Sequence, residues 1–254
     1  KNLYSITLSL SDKIDTLVGF FGLGLVPSGS KDPYALRRYT IGLVRLIIEN
    51  KIKIKLRSII NYSLTLYKEQ GFEFDITKVL KDLNYFILER VKNYSKEKNI
   101  RLDIIEGSIS SKDIDELYNG YKNAEVLNKN ISKELGQDII GIYKRSSNIL
   151  KSEISKNKIE LSNSVDIGLF KNDFEKNLHK KIQEVRKYSV NVGKNHDFNE
   201  SLKELFKFKQ DVHLFFDNVK VNDENELIKK NRLELLNLLC KSFDNFFNFS
   251  KIES

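Results

Sequence analysis

The sequence predicts an all-α protein built as two helical bundles. Three observations carry this. Apolar residues recur at three- and four-residue spacing through most of the 254 residues, the period of a helix buried along one side. No apolar–polar alternation lasts long enough for a half-buried strand. Helix-start signals, an Asp or Ser ahead of the apolar period, precede several of these segments.

Residues 3–18 form the first expected helix, followed by a glycine-rich connector, "GFFGLGLVPSGSK". Asp32-Pro33 then reads as the start of a helix over 33–49, with Asp as N-cap and Pro at the first helical position. Tyr34, Ile41, Val44 and Ile48 make its apolar side, and Arg38 and Arg45, seven apart, share a basic side. Another helix begins near Arg57 and stops at Gly71. Ile76, Val79, Leu80, Leu83, Phe86, Ile87, Val91 and Tyr94 then form one stripe. The period is lost in "NIRLDIIEGSISS", so a domain boundary is expected there, giving units 1–107 and 110–254.

Beyond it, Ser110 and Asp113 give a capping-box-like start to a helix over about 111–128. Ile139, Ile142, Tyr143, Ile149 and Leu150 mark the next helix, and the polar stretch 151–168 reads as an exposed loop. Helices resume over 171–188. Asp197 with Glu200 opens a stripe of Phe198, Leu202, Leu205, Val212 and Phe216. A final helix covers 224–249, with Leu233, Leu236, Leu239, Cys240, Phe243, Phe246 and Phe247 facing inward.

Charge is unevenly spread. The chain carries 43 Lys+Arg against 35 Asp+Glu, a net +8, and the stretch 31–57 alone holds eight basic and two acidic residues, +6. Such a local field suits a polyanion such as nucleic acid; the same pattern also describes a solvated helix face. A lone cysteine, Cys240, excludes an intrachain disulfide and fits a reducing compartment. No apolar run reaches the roughly 18 residues of a membrane span, and no signal peptide is evident. The absence of methionine implies a fragment of a longer chain.

Few residues suggest chemistry. His179, His196 and His213 are scattered, without a second His at metal-ligand spacing. "GLGLVPSGS" lacks the Lys-Ser/Thr ending of a phosphate loop, and no Ser/His/Asp set assembles. Asp12 and Asp15 are neighbours on one helix face; they are surface groups, partners of a buried arginine, or metal ligands. "KRSSNIL" places Lys144, Ser147 and Asn148 on one helical side, with Arg145 beside them, groups suited to phosphates and base edges. "FFDNVKVN" and "NRLELL" offer two readings: an Asp217–Arg232 pair tying a loop to the last helix, or Asn218, Asn222 and Asn231 lining an RNA-reading surface.

Taken together, three patches resemble the β subunit of bacterial heterotetrameric glycyl-tRNA synthetase: "SDKIDTLVGFFGLGLVPSGSKDPYALRRYTIGLVRLI" (11–47), "KRSSNIL", and "FFDNVKVN" followed by "NRLELL". They occur in the family's order. The resemblance implies the C-terminal part of a His-Asp (HD) phosphohydrolase-like helical domain followed by a DALR-type anticodon-binding bundle. Asp12 falls where the HD superfamily has its last metal Asp, a vestigial position at most, so no metal centre is expected here. The DALR tetrapeptide reads Glu226-Leu227-Ile228-Lys229, and Lys lacks the planar fork of Arg.

On that resemblance the expected partners are tRNA(Gly) and the α subunit, in a tetramer of two α and two β chains in the cytoplasm, with no membrane. ATP and Mg would serve the whole enzyme through the α subunit, with no cofactor and no catalytic residue in this chain. Lys31, Arg37, Arg38, Arg45, Lys144, Arg145, Asn148, Asn218 and Asn231 are the expected tRNA contacts, one of the first arginines being structural. The rival readings are an HD-type metal-dependent phosphohydrolase fragment and a structural helical adaptor.

Overall fold

A computed structural model describes residues 2–109, 114–157, 159–191, 198–244 and 246–253. They are mostly helical, with no β-strand among the described residues and one isolated bridge, Ser28 to Lys31. The chain divides into two compact units, Lys1–Glu125 and Val126–Ser254.

The first unit is organised around α1 (Leu3–Gly22), which packs against α2 (Leu36–Glu49), α3 (Leu56–Glu69) and α4 (Ile76–Glu97). Its buried stripe is Leu10, Ile14, Leu17, Val18 and Phe21. Ile14, Leu17 and Val18 meet Leu43, Ile60, Leu83 and Ile87 at the centre, each fully buried side chain stabilising the fold by about 1.5–3 kcal/mol. α1 runs one turn further than its apolar period suggests. There Gly19 and Gly22 let α1 lie against Tyr67 and Phe74, since a Cβ on either would strike those rings.

The connector is a tight turn. Ser28 and Lys31 exchange backbone hydrogen bonds of 3.2 and 2.9 Å, and Gly29 supplies a φ of 51°. Asp32 does cap α2, but from a distance: its carboxylate accepts from the N–H groups of Leu36 (2.8 Å) and Arg37 (3.0 Å). Asp32-Pro33-Tyr34-Ala35 forms a turn closed by Ala35 N–H to the Asp32 carbonyl, 3.1 Å. Pro33 therefore fixes the second position of a turn, and the helix begins at Leu36 rather than at 33. Ala35 is left-handed, φ 55°, a conformation costing an L-residue about 1–2 kcal/mol.

The break in period at 99–111 contains a short helix, α5 (Leu102–Ser108), with Ile104 and Ile105 buried. The two compact units divide at 125/126, and the start of α6 (Leu117–Asn130) lies against the first of them. Ile114, Leu117, Tyr121 and Ala124 are buried. Tyr121 lies against Tyr94, ring centroids 5.6 Å apart, and its hydroxyl is pushed up to about 12 by burial. The Ser108 hydroxyl donates to the Gly120 carbonyl, and Asp115 accepts the Arg57 N–H at 2.6 Å. The capping residues expected at Ser110 and Asp113 lie outside the described residues.

The second unit contains α7 (Glu134–Asn157), α8 (Asp173–Asn191), α9 (Phe198–Phe206), α10 (Phe208–Asn218) and α11 (Glu226–Asp244), with single 3-10 turns at Ile167–Leu169 and Phe249–Lys251. Two helices, broken at Lys207, replace the single stripe expected after 198; of the start signal there, Asp197 lies outside the described residues. Phe208 and Phe215 are fully buried, and Phe216 is only half-buried. The final helix stops at Asp244, and Phe246 is half-buried while Phe247 is inward. α11 is the central element, packed by α7 and α8. Cys240 is buried within it, and burial pushes its thiol up to about 12.

"NRLELL" on α11 is buried although half of it is polar. Glu234 accepts from the backbone of Ser162 and, at 2.9 Å, of Asn163. Asn231 mimics a backbone pair, accepting from Asp166 N–H (2.8 Å) and donating to the Asp166 carbonyl (2.9 Å). The expected exposed loop 151–168 is thus helix as far as Asn157 and then a strap laid over α11.

Arg232, 5% exposed, does not pair with Asp217, which is exposed. Its Nε donates to Glu175 Oε1 (2.7 Å), and its Nη1 to Asp223 Oδ2 (2.7 Å) and the Lys220 carbonyl (2.8 Å). Glu175 is fully buried. Its other oxygen accepts from the N–H groups of Lys171 and Asn172, while Asn172 Oδ1 accepts the Glu175 N–H: a capping box at the start of α8. A second buried pair, Lys229 Nζ to Glu153 Oε2 at 2.9 Å, joins α11 to α7.

Two outcomes are expected from equilibrium unfolding. Removing one partner strands a buried charge, so Arg232→Ala or Glu175→Ala costs about 3–5 kcal/mol, while Asp217→Ala stays within about 0.5 kcal/mol of the parent. The pH dependence is also set. The Lys229 hydrogen bond holds the Glu153 carboxyl below its ordinary 4.5. Its contribution is therefore full above 4.5 and is lost as pH falls through the lower folded value. Glu153→Gln lowers stability at neutral pH, and its deficit against the parent narrows as pH drops below 4.5.

Candidate nucleic-acid interface

A groove of about 570 Å³ opens between α7 and the chain running from α10 to α11. On α7, Arg145, Asn148, Ser152 and Lys156 line it at the three- and four-residue steps that define one helix face. The opposite wall is Phe216 at the end of α10 and the segment Val219, Lys220, Val221 and Asn222. Arg232 fixes that wall, since it holds both the Lys220 carbonyl and Asp223. The N–H of Asn225, then the guanidinium, hold the Asp223 carboxyl below its usual range.

Arg145 lies over the Phe216 ring, its guanidinium carbon 4.1 Å from the centroid. A cation over an aromatic face is attracted by the ring without being neutralised. Lys156 and Lys220 add two more cations, and Asn148 and Asn222 add amides. Glu153 is the acidic lining residue, and Lys229 offsets its charge. A cation over an aromatic ring, further cations and amides in one open groove are groups of the kind that bind unpaired nucleotides: phosphate by charge, bases by stacking and edge hydrogen bonds.

The expected residues are only partly brought together. Arg145, Asn148 and Asn222 line the groove, while Lys144 is half-buried and outside its lining. Asn218 is exposed on the last turn of α10, its Nδ2 donating to the Leu214 carbonyl at 2.9 Å. Asn231 is corrected to a structural role: it is 5% exposed and spends both ends of its amide on Asp166. Phe216, Lys156, Ser152 and Lys220 escaped the sequence reading, although the spacing 145, 148, 152, 156 carries the α7 half of the groove.

In the first unit, Lys31, Arg38 and Arg45 are exposed. Arg37 is the structural arginine, its Nη2 donating to the Gly29 carbonyl at 2.6 Å. Arg45 meets Glu97 at 3.1 Å with both side chains half in solvent. None of them bonds Asp12, which is exposed, or Asp15, which accepts from Ser63 and Tyr67 at 3.4 Å. Burial, then Asp15, raises the Tyr67 hydroxyl. Among the described residues no three His, Cys, Asp or Glu side chains gather to hold a metal. His179 packs on Phe170 and is lowered by burial, His213 is exposed, and His196 lies outside the described residues. Among the described residues no helix is long and apolar enough to cross a membrane.

Comparison with known proteins gives two separate matches. Residues 1–110 match the family model described as glycyl-tRNA synthetase beta subunit, and residues 139–254 match the DALR anticodon binding domain. The glycine–tRNA ligase beta subunits of Rickettsia typhi and Rickettsia prowazekii are each 33% identical over 245 residues, covering 96% of this chain and 34% of their own length. That of Rickettsia africae is likewise 33% identical over 96% of the chain. The chain thus spans about a third of the length of the curated relatives it matches. Over almost its whole length, then, the chain is similar to one part of the glycyl-tRNA synthetase beta subunits: its first 110 residues match the model of that family, and the groove lies within the stretch that matches an anticodon binding domain.

Proposed function

We propose that this chain is the tRNA(Gly)-binding part of a glycine–tRNA ligase beta subunit and that it grips the anticodon loop in the groove between α7 and the α10–α11 connection. The observation that carries the reading is Arg145 set over the Phe216 ring, with Lys156, Lys220 and Asn148 lining the same groove, within the match to an anticodon binding domain. The exposed Lys31, Arg38 and Arg45 of the first unit meet tRNA phosphates elsewhere on the molecule.

In the whole enzyme the α subunit carries the ATP- and Mg-dependent adenylation site, and the tetramer joins glycine to tRNA in the cytoplasm. This chain alone holds no aminoacylation activity. Its share is affinity and recognition: the groove's own residues orient the anticodon loop, and the basic helix face adds charge that draws the polyanion in.

Titration of tRNA(Gly) against the chain at several salt concentrations tests this. Lys156→Ala with Lys220→Ala weakens binding and flattens the salt slope by about 0.7–0.9 for each phosphate that is no longer neutralised. Arg145→Ala weakens binding further by removing the stacked cation. Unchanged affinity and slope in folded variants would show that the groove is not the tRNA site; no measurable binding by the parent would favour a structural adaptor.

A further inference from the structure

Asn222 stands on the groove wall facing α7, and its amide is held. Nδ2 donates to Glu153 Oε1 at 3.1 Å, while Glu153 Oε2 takes Lys229 Nζ at 2.9 Å. Glu153 and Lys229 are 7% and 9% exposed, so the carboxylate has little water to turn to. An ionised carboxylate accepts and never donates. Asn222 is therefore obliged to present its NH2 to Glu153, leaving Oδ1 as its acceptor. Lys229 stands in the tetrapeptide Glu226-Leu227-Ile228-Lys229 and serves as the counter-charge of this arrangement; it does not line the groove.

We infer that Lys229, acting through Glu153, fixes Asn222 as a hydrogen-bond acceptor in the groove, and that Asn222 thereby selects a base carrying an exocyclic amine over one carrying a carbonyl at that position. Cytosine offers N4–H to such an acceptor, whereas uracil turns O4 toward it, placing two acceptors face to face. Once a base covers Asn222, an acceptor left facing a second acceptor is what makes such discrimination effective. The inference rests on the tRNA reading above. It suits that reading chemically, because glycine codons begin with two guanines and their anticodons supply two cytosines. Lys229 is here a positioning residue and Asn222 the reading one.

The test uses the full chain and two RNA hairpins bearing a glycine anticodon loop, one with its two anticodon cytosines and one with uracil in their place. The parent is expected to prefer the cytosine hairpin by roughly tenfold. Asn222→Ala, at an exposed position, abolishes the preference while leaving the melting temperature near the parent's. Lys229→Met shrinks the preference, and Lys229→Arg restores it, a rescue that a purely structural role would not show as a change in base ratio. Retention of the full preference in Asn222→Ala overturns the inference, whether or not Lys229→Met folds. A parent that binds both hairpins equally overturns it while the tRNA reading stands; a parent that binds neither overturns both.

Discussion

One buried guanidinium organises the second unit. Arg232 sits on the central helix and is held at three points: the N-terminal turn of α8 through Glu175, and the wall of the groove through Lys220 and Asp223. A planar group with five donors reaches three acceptors in fixed directions, which a lysine at that place would not do. Glu175 has its second oxygen on the backbone of α8's cap, so one carboxylate both starts a helix and anchors another. The 219–223 segment contains no regular element of its own, and its course is set by this side chain.

The neighbours of Arg232 act in the same way. Asn231 and Glu234 fasten the strap of residues 162–166 to the same helix. "NRLELL" is a motif of tethers: its leucines make the core, and its polar members, each buried, tie down backbone that has no helix or sheet to satisfy it. The groove lies one step outward, and the tether from Arg232 to Lys220 and Asp223 holds its 219–222 wall.

This division explains what the sequence could and could not tell. Helix periods in α4 and α11 were legible because they depend on spacing along one chain segment. The three patches also identified the family. The ends of elements were less legible: Asp32 caps α2 across a turn, and nothing in the residues around Lys207 signals a break. Partners distant in sequence were not legible at all. Asp217 and Arg232 are the obvious acid and base of their patches, yet the partners are Glu175, concealed in a capping box, and Asp223, a few residues past the expected one. Asn231 looked like a base reader because an amide can read either a base or a backbone, and only the fold decides which. Of the groove, the sequence offered Arg145, Asn148 and, in one of two readings, Asn222, but not Phe216, whose turn out of the core follows from Phe215 taking the buried place.

Cys240 carries a different consequence. Its thiol is enclosed by the central helix and pushed up to about 12, so thiolate is scarce and reagent access is closed while the fold is intact. It is the only sulfur atom in the chain, which has no methionine. Its alkylation rate is thus a clock for opening of α11, and a single mass adduct reports how often the helix that carries Arg232 comes away from its partners.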